Sequence, residues 1–144
     1  MNPSQYLQKV RTLNILDLVE ECLAELDKTG KVTELVKEQL GQGKRGDGTL
    51  MPRYSYLTLK EKQAKGRTIM SDRIALIDTG EFWQSFFTEL GENFISIDAK
   101  DWKRDELVQR YGAEIFLISK PQMSELATLV RPILKRKIDQ HFAR

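Results

Sequence analysis

The chain has one cysteine, Cys22, and one histidine, His141, in 144 residues. A lone cysteine excludes an internal disulfide and any cysteine-rich zinc site, and fits a reducing compartment. One histidine and one cysteine at opposite ends of the sequence leave no material for a Cys–His pair. No H-E-x-x-H, P-loop or nucleophile-elbow pattern occurs. Charge of one sign is also missing: the net charge is +2, too small to imply nucleic acid or an anionic membrane as partner. No run approaches the roughly 18 apolar residues of a membrane span. The polar start MNPSQYLQKV has no apolar h-region, so no signal peptide is expected. Neither an internal repeat nor a second domain boundary is visible. What is present is an ordinary globular composition, 40% hydrophobic and 31% charged, suited to one compact domain at 1–144.

Residues 4 to 28 read as one long helix, with Ser4 as its cap. Val10, Leu13, Leu16, Val19, Leu23 and Leu26 keep helical spacing, and Ile15, Leu18 and Cys22 widen the stripe. So wide a stripe must be covered on more than one side, either by the core or in part by another subunit. Thr29-Gly30 ends the helix, and Thr33 caps a shorter one carrying Leu35, Val36 and Leu40. Residues 41 to 53, GQGKRGDGTLMPR, hold five glycines or prolines and mark an exposed, flexible loop or hairpin tip. Gly41, Gly43 and Gly46 match G-x-G-x-x-G, but a dinucleotide site needs a strand before it and a helix after it. Here a helix precedes and a proline follows. The Arg-Gly-Asp triplet at 45 to 47 reads as chance.

Thr58 with Glu61 suggests a capping box and a short basic helix from 58 to 65, stopped by Gly66. Lys60, Lys62, Lys65 and Arg67 then form a local positive patch, read as a solvated helix face in preference to a phosphate-binding site. SFFTELGENFISIDA predicts a β-hairpin turning at Gly91-Glu92-Asn93. DWKRDELVQRYG predicts a helix ending at Gly112, and AEIFLIS, 113 to 119, a short buried strand. Pro121 opens a last helix with Met123, Leu126, Val130, Leu134 and Ile138 along its seam, kinked by Pro132. Basic residues Arg131, Lys135, Arg136 and Lys137 suit its C-terminal end. Asp98, Asp101, Asp105 and Glu106 make an acidic cluster with two readings, a cation site or, preferred, caps, since it straddles a strand end and a helix start. Together these elements predict an α+β fold, a small antiparallel sheet packed against a long N-terminal helix and a C-terminal helix.

The stretch IALIDTGEF, 74 to 82, carries the sharpest chemical question. Asp-Thr-Gly after an apolar run is the catalytic loop of an aspartic protease, which needs two carboxylates sharing one proton. A chain this short supplies one and would have to dimerise, as a retropepsin-like enzyme using Asp78. Those enzymes are nearly all-β with a Gly-rich flap, whereas this chain ends in a long helix. The structural alternative makes Asp78 a helix N-cap with Glu81 three residues on, Gly80 a place of close approach, and Phe82 and Trp83 packing anchors.

Three segments in order resemble a known pattern: MPRYSYLTLKEKQAKG at 51 to 66, ALIDTGEFWQSF at 75 to 86, and YGAEIFLISKPQMSELATLVRPIL at 111 to 134. They resemble the virion-morphogenesis, or tail-completion, proteins of tailed bacteriophages and prophages. Leu76, Asp78, Thr79, Gly80, Phe82 and Ser85 occupy that family's central motif. Pro52 and Thr58 match the block before it, and Tyr111, Phe116 and Leu117 the block after it. The resemblance implies a small α+β fold, no catalysis, no cofactor and no metal. It also implies assembly as a homo-oligomeric ring at the head–tail neck or tail terminus, beside neighbouring neck or tail proteins. No nucleic-acid-specific or membrane contact follows from it, and its location would be the virion, after assembly in the host bacterial cytoplasm. Gly43, Lys44, Arg45, Gly46, Asp47 and Gly48 are then candidates for a partner-docking loop. The other readings are the dimeric protease and a small phage-encoded protein-binding module.

Overall fold

The computed structural model describes residues 2–92 and 94–143. The fold is α+β, with a two-stranded antiparallel sheet and helices from both ends of the chain packed against it. The expected long first helix is two helices, α1 (Pro3–Thr12) and α2 (Ile15–Lys28). The break is a capping event: the Asn14 side chain accepts the Asp17 N–H, so a residue read as part of a polar face starts a new helix. At the chain start Asn2, not Ser4, is the cap. Its side chain accepts the Gln5 N–H while the Gln5 side chain accepts the Asn2 N–H, and Pro3 takes the first helical position.

Helix α3 (Lys31–Gly41) begins at Gly30, whose φ of 75° reverses the chain after α2. Thr33 lies inside the first turn, where its hydroxyl donates to the Gly30 carbonyl, so it does not cap the helix as expected. Leu35, Val36 and Leu40 are buried, as their spacing indicated, along with Val32 and Gln39. Helix α4 (Tyr56–Ala64) is capped by Ser55, which accepts the Thr58 N–H, and not by Thr58 itself. Gly66 ends it at φ 67°.

After the single turn α5 (Glu81–Gln84), the hairpin forms as expected from β1 (Phe86–Gly91) and β2 (Phe94–Ala99). Its register runs from Phe86 opposite Ala99 to Gly91 opposite Phe94. Asn93 of the expected turn lies outside the described residues. Phe86, Ile97 and Ala99 face inward, and β1 lies against α2 and α3. Helix α6 (Arg104–Tyr111) ends at Gly112, again as expected.

Residues 113 to 116 form a 3-10 turn, not the predicted buried strand. Apolar content was read correctly, since Ile115 and Phe116 are buried, but the backbone pairs elsewhere. The Gly46 N–H donates to the Glu114 carbonyl, and the Gln39 amide holds both sides of Ile118. Its Nε2 donates to the Leu117 carbonyl at 2.7 Å and its Oε1 accepts the Ser119 N–H at 2.9 Å. These bonds take up backbone groups that a sheet neighbour would need.

Helix α7 (Lys120–Ala143) runs as one helix through Pro132. Its basic residues do more than suit a helix end. The Arg136 guanidinium donates to both Glu25 carboxylate oxygens at 2.7 and 2.8 Å, and Lys137 lies 3.5 Å from Glu21, clamping α7 to α2. That guanidinium also holds the Glu25 carboxyl below its ordinary range. His141 is half-buried and places Nε2 2.7 Å from the Lys9 carbonyl, while Tyr6 stacks on Phe142. α1 is therefore fastened to the end of α7.

The core gathers Val32, Leu35, Val36 and Leu40 of α3 around the aromatic trio Phe82, Phe86 and Phe116. The three ring centroids lie 5.1 to 6.2 Å apart, within the range of favourable aromatic contact. Truncation at the centre should be costly. Leu40→Ala, at a fully buried site, is expected to lower stability by about 2–5 kcal/mol, and Leu57→Ala, on the exposed face of α4, by under about 0.5 kcal/mol; urea denaturation of both variants checks the pair.

Candidate functional site

The Asp-Thr-Gly segment is positioned by the chain before it. Residues 51–54 run alongside 72–75: the Tyr54 N–H donates to the Asp72 carbonyl, the Ile74 N–H to the Pro52 carbonyl, and Arg73 to the Met51 carbonyl. Trp83 then reaches back and donates its indole N–H to the Ala75 carbonyl at 2.9 Å. Between these anchors Leu76 adopts φ 58°, a left-handed conformation uncommon for a branched side chain.

Asp78 is not a helix cap. The N-cap of α5 is Gly80, which has φ 92°, and the Glu81 N–H meets the Thr79 hydroxyl at 3.4 Å. Two residues ahead of the cap, the Asp78 carboxylate turns instead toward α4 and the chain beyond it. It lies 3.3 Å from Arg67 Nε and 3.8 Å from Lys62 Nζ. The Arg67 contact is an ion pair without hydrogen-bond geometry, since that Nε–H has no hydrogen-bond partner among the described residues. Nor does Gly80 serve close approach: a methyl group there would find its nearest neighbour at 3.8 Å, so the glycine is there for its φ.

The basic patch is likewise not a uniformly solvated face. Lys62 keeps only 13% of its side chain exposed, donates to the Ile77 carbonyl at 2.8 Å and lies over the Tyr54 ring. Of the motif residues, Leu76, Asp78, Thr79, Gly80 and Phe82 line one cavity with Lys62, whereas Ser85 lies outside it and donates to the Phe82 carbonyl. Sequence spacing could not reveal Lys62 as the neighbour of Asp78, because the pairing spans a loop of irregular backbone.

The glycine loop is a tied hairpin tip. Lys44 bridges to Leu50, and the Arg45 N–H donates to the Thr49 carbonyl. The Arg45 guanidinium donates to the Tyr111 and Leu50 carbonyls at 2.8 and 2.7 Å. Asp47 accepts from the Thr49 hydroxyl and N–H, and the hydroxyl bond holds its carboxyl below the ordinary range. The side chains of the Arg-Gly-Asp triplet are thus engaged within the molecule. Gly46 is needed because Leu117 presses on it: an added Cβ would stand 2.2 Å from the Leu117 carbonyl oxygen.

Among the acidic residues, Asp98 pairs with Arg104 at 2.8 Å and Asp101 accepts the Lys103 N–H; no metal-binding cluster occurs among the described residues. Burial pushes the Asp98 carboxyl up, but the Arg104 hydrogen bond, the Ala99 N–H and the Arg104 charge together bring it below the ordinary range.

A further surface was half-visible in the sequence. Leu16, Val19 and Leu23 of α2, with Phe94 and Ile95 of the hairpin, line an apolar groove of about 230 Å³. Leu16 is 62% exposed and Phe94 58%. The over-wide stripe is therefore covered along α2 by α7, α3 and β1 and left open at Leu16. Searches against family models, characterised proteins and solved structures find no match to this chain.

Two outcomes are expected. Asp78→Asn, removing exposed ion pairs, changes stability by at most about 1 kcal/mol, whereas Gly46→Ala costs more than about 1 kcal/mol because Leu117 must move; thermal unfolding of both variants orders them. For Asp98, a carboxyl lower in the folded than in the unfolded state stabilises above the unfolded value. That contribution is lost as pH falls through the folded one. Asp98→Asn should therefore destabilise at neutral pH, and the gap to the parent should close as pH drops below about 4, measured by urea denaturation at stepped pH.

Proposed function

We propose that this protein is a non-enzymatic structural component of a tailed phage or prophage, assembling as a ring at the head–tail neck or tail terminus. One observation carries the assembly part: the open apolar groove between α2 and the hairpin tip. Single exposed apolar residues are normal on a protein surface, but a contiguous set flanking a groove marks a contact site. Ring subunits use unlike surfaces that close by rotation, and a groove on one face suits such a contact. The phage assignment rests on the resemblance of the segments at 51–66, 75–86 and 111–134.

The dimeric-protease reading receives no support from the geometry. Its chemistry needs Asp78 to share a proton with a second carboxylate, and here the Asp78 carboxylate is paired with the cations of Arg67 and Lys62. The carboxylate also sits beside a helical turn, between a hairpin and a basic helix.

Native mass spectrometry with negative-stain imaging tests the proposal. The parent is expected to form closed rings, alone or with purified neck or tail components. Leu16→Glu and Phe94→Glu are expected to abolish assembly while leaving far-UV circular dichroism unchanged. A strict dimer that cleaves casein at acidic pH, or a chain that neither self-assembles nor binds those components, would overturn it.

A further inference from the structure

The cavity beside the Asp78 loop has a volume of about 160 Å³ and mostly apolar walls, with Leu76, Phe82 and Leu107 among them. Its polar groups are few and directed. Lys62 is nearly buried, and of the three donors on its ammonium one is engaged by the Ile77 carbonyl. Tyr54 accepts the Ala75 N–H at its hydroxyl oxygen, which leaves the hydroxyl proton to donate. Lys103 adds a second cation to the lining. Asp78 also borders the cavity, and its single carboxylate is shared between Arg67 at 3.3 Å and Lys62 at 3.8 Å, so with Lys103 the site keeps a net positive charge.

Apolar walls with convergent donors and an excess of positive charge are the chemistry of a site for a small anion with an apolar body. The strained backbone of Leu76, in the same wall, is the kind of feature that accumulates at ligand clamps. Volume sets the size: a cavity of roughly 150 Å³ admits one benzene ring. We infer that this cavity binds a small carboxylate whose apolar body is about the size of a single six-membered ring, its carboxylate held by Lys62 and Tyr54. This inference is independent of the ring-assembly reading, since the cavity and the α2 groove share no lining residue.

Titration of the ¹⁵N-labelled full chain with benzoate and with its neutral counterpart benzamide tests the site. Benzoate is expected to shift the amides of residues 74–80 and Leu107, and to bind about tenfold more tightly than benzamide, a charge-assisted margin. Lys62→Met is expected to bring the two ligands within about twofold. Leu107→Trp, which fills the cavity and leaves Lys62 in place, is expected to abolish both sets of shifts and covers the case in which Lys62→Met does not fold. Equal binding of benzoate and benzamide, no shift with benzoate, shifts scattered over the surface, or benzoate binding unaltered in Leu107→Trp would each overturn the inference.

Discussion

One buried amide organises the region where the chain's regular structure runs out. Gln39 lies on α3 with 2% of its surface exposed, and its side chain satisfies both the Leu117 carbonyl and the Ser119 N–H. A buried polar group is tolerable only when bonded, and here the bonds run to a segment that has no strand or helix partner of its own. The consequence reaches in two directions. Held by Gln39, Leu117 presses on Gly46 and fixes the glycine hairpin. Held in turn, the hairpin lends Arg45 and Gly46 to the Tyr111 and Glu114 carbonyls. Two stretches remote in sequence, 39–50 and 111–119, thus share one small hydrogen-bonded junction over the α3 core.

Around that junction the fold is uneven in how completely it covers itself. α3 is wrapped by α2, β1, α7 and the 3-10 turn, which is why seven of its 11 residues are buried. α1 has no buried residue and is attached by the His141 contact and the Tyr6–Phe142 stack. The apolar groove lies on α2 and the hairpin, elements that themselves pack on α3. A groove on a well-packed frame can meet a partner with little reorganisation cost, which is what the proposed assembly would use.

Elements whose signal is local were legible in the sequence: the alternating hairpin, the α6 stop at Gly112, and the α3 core positions Leu35, Val36 and Leu40. Caps were recognised as types but misplaced by a few residues, since Asn2, Ser55 and Asn14 compete with Ser4, Thr58 and an uninterrupted helix. At 113 to 119 an apolar run suits a strand by local rules, but its partners, Gln39 and Gly46, lie some seventy residues away in sequence. Asp78 fell to the same limit. A carboxylate before a helical turn suits a cap by local rules, and nothing local announces Arg67 and Lys62 as its partners. The clamp of Arg136 on Glu25 likewise joins two helices whose separate patterns each had a sufficient local explanation.

The measurement that bears most directly on this account is native-state hydrogen exchange at the Ser119 and Gly46 amides. If the Gln39 junction is part of the folded frame, both amides exchange as slowly as those of α3, and Gln39→Ala releases them together. Exchange of both at the rate of freely solvated loop amides, with α3 still protected, would contradict it.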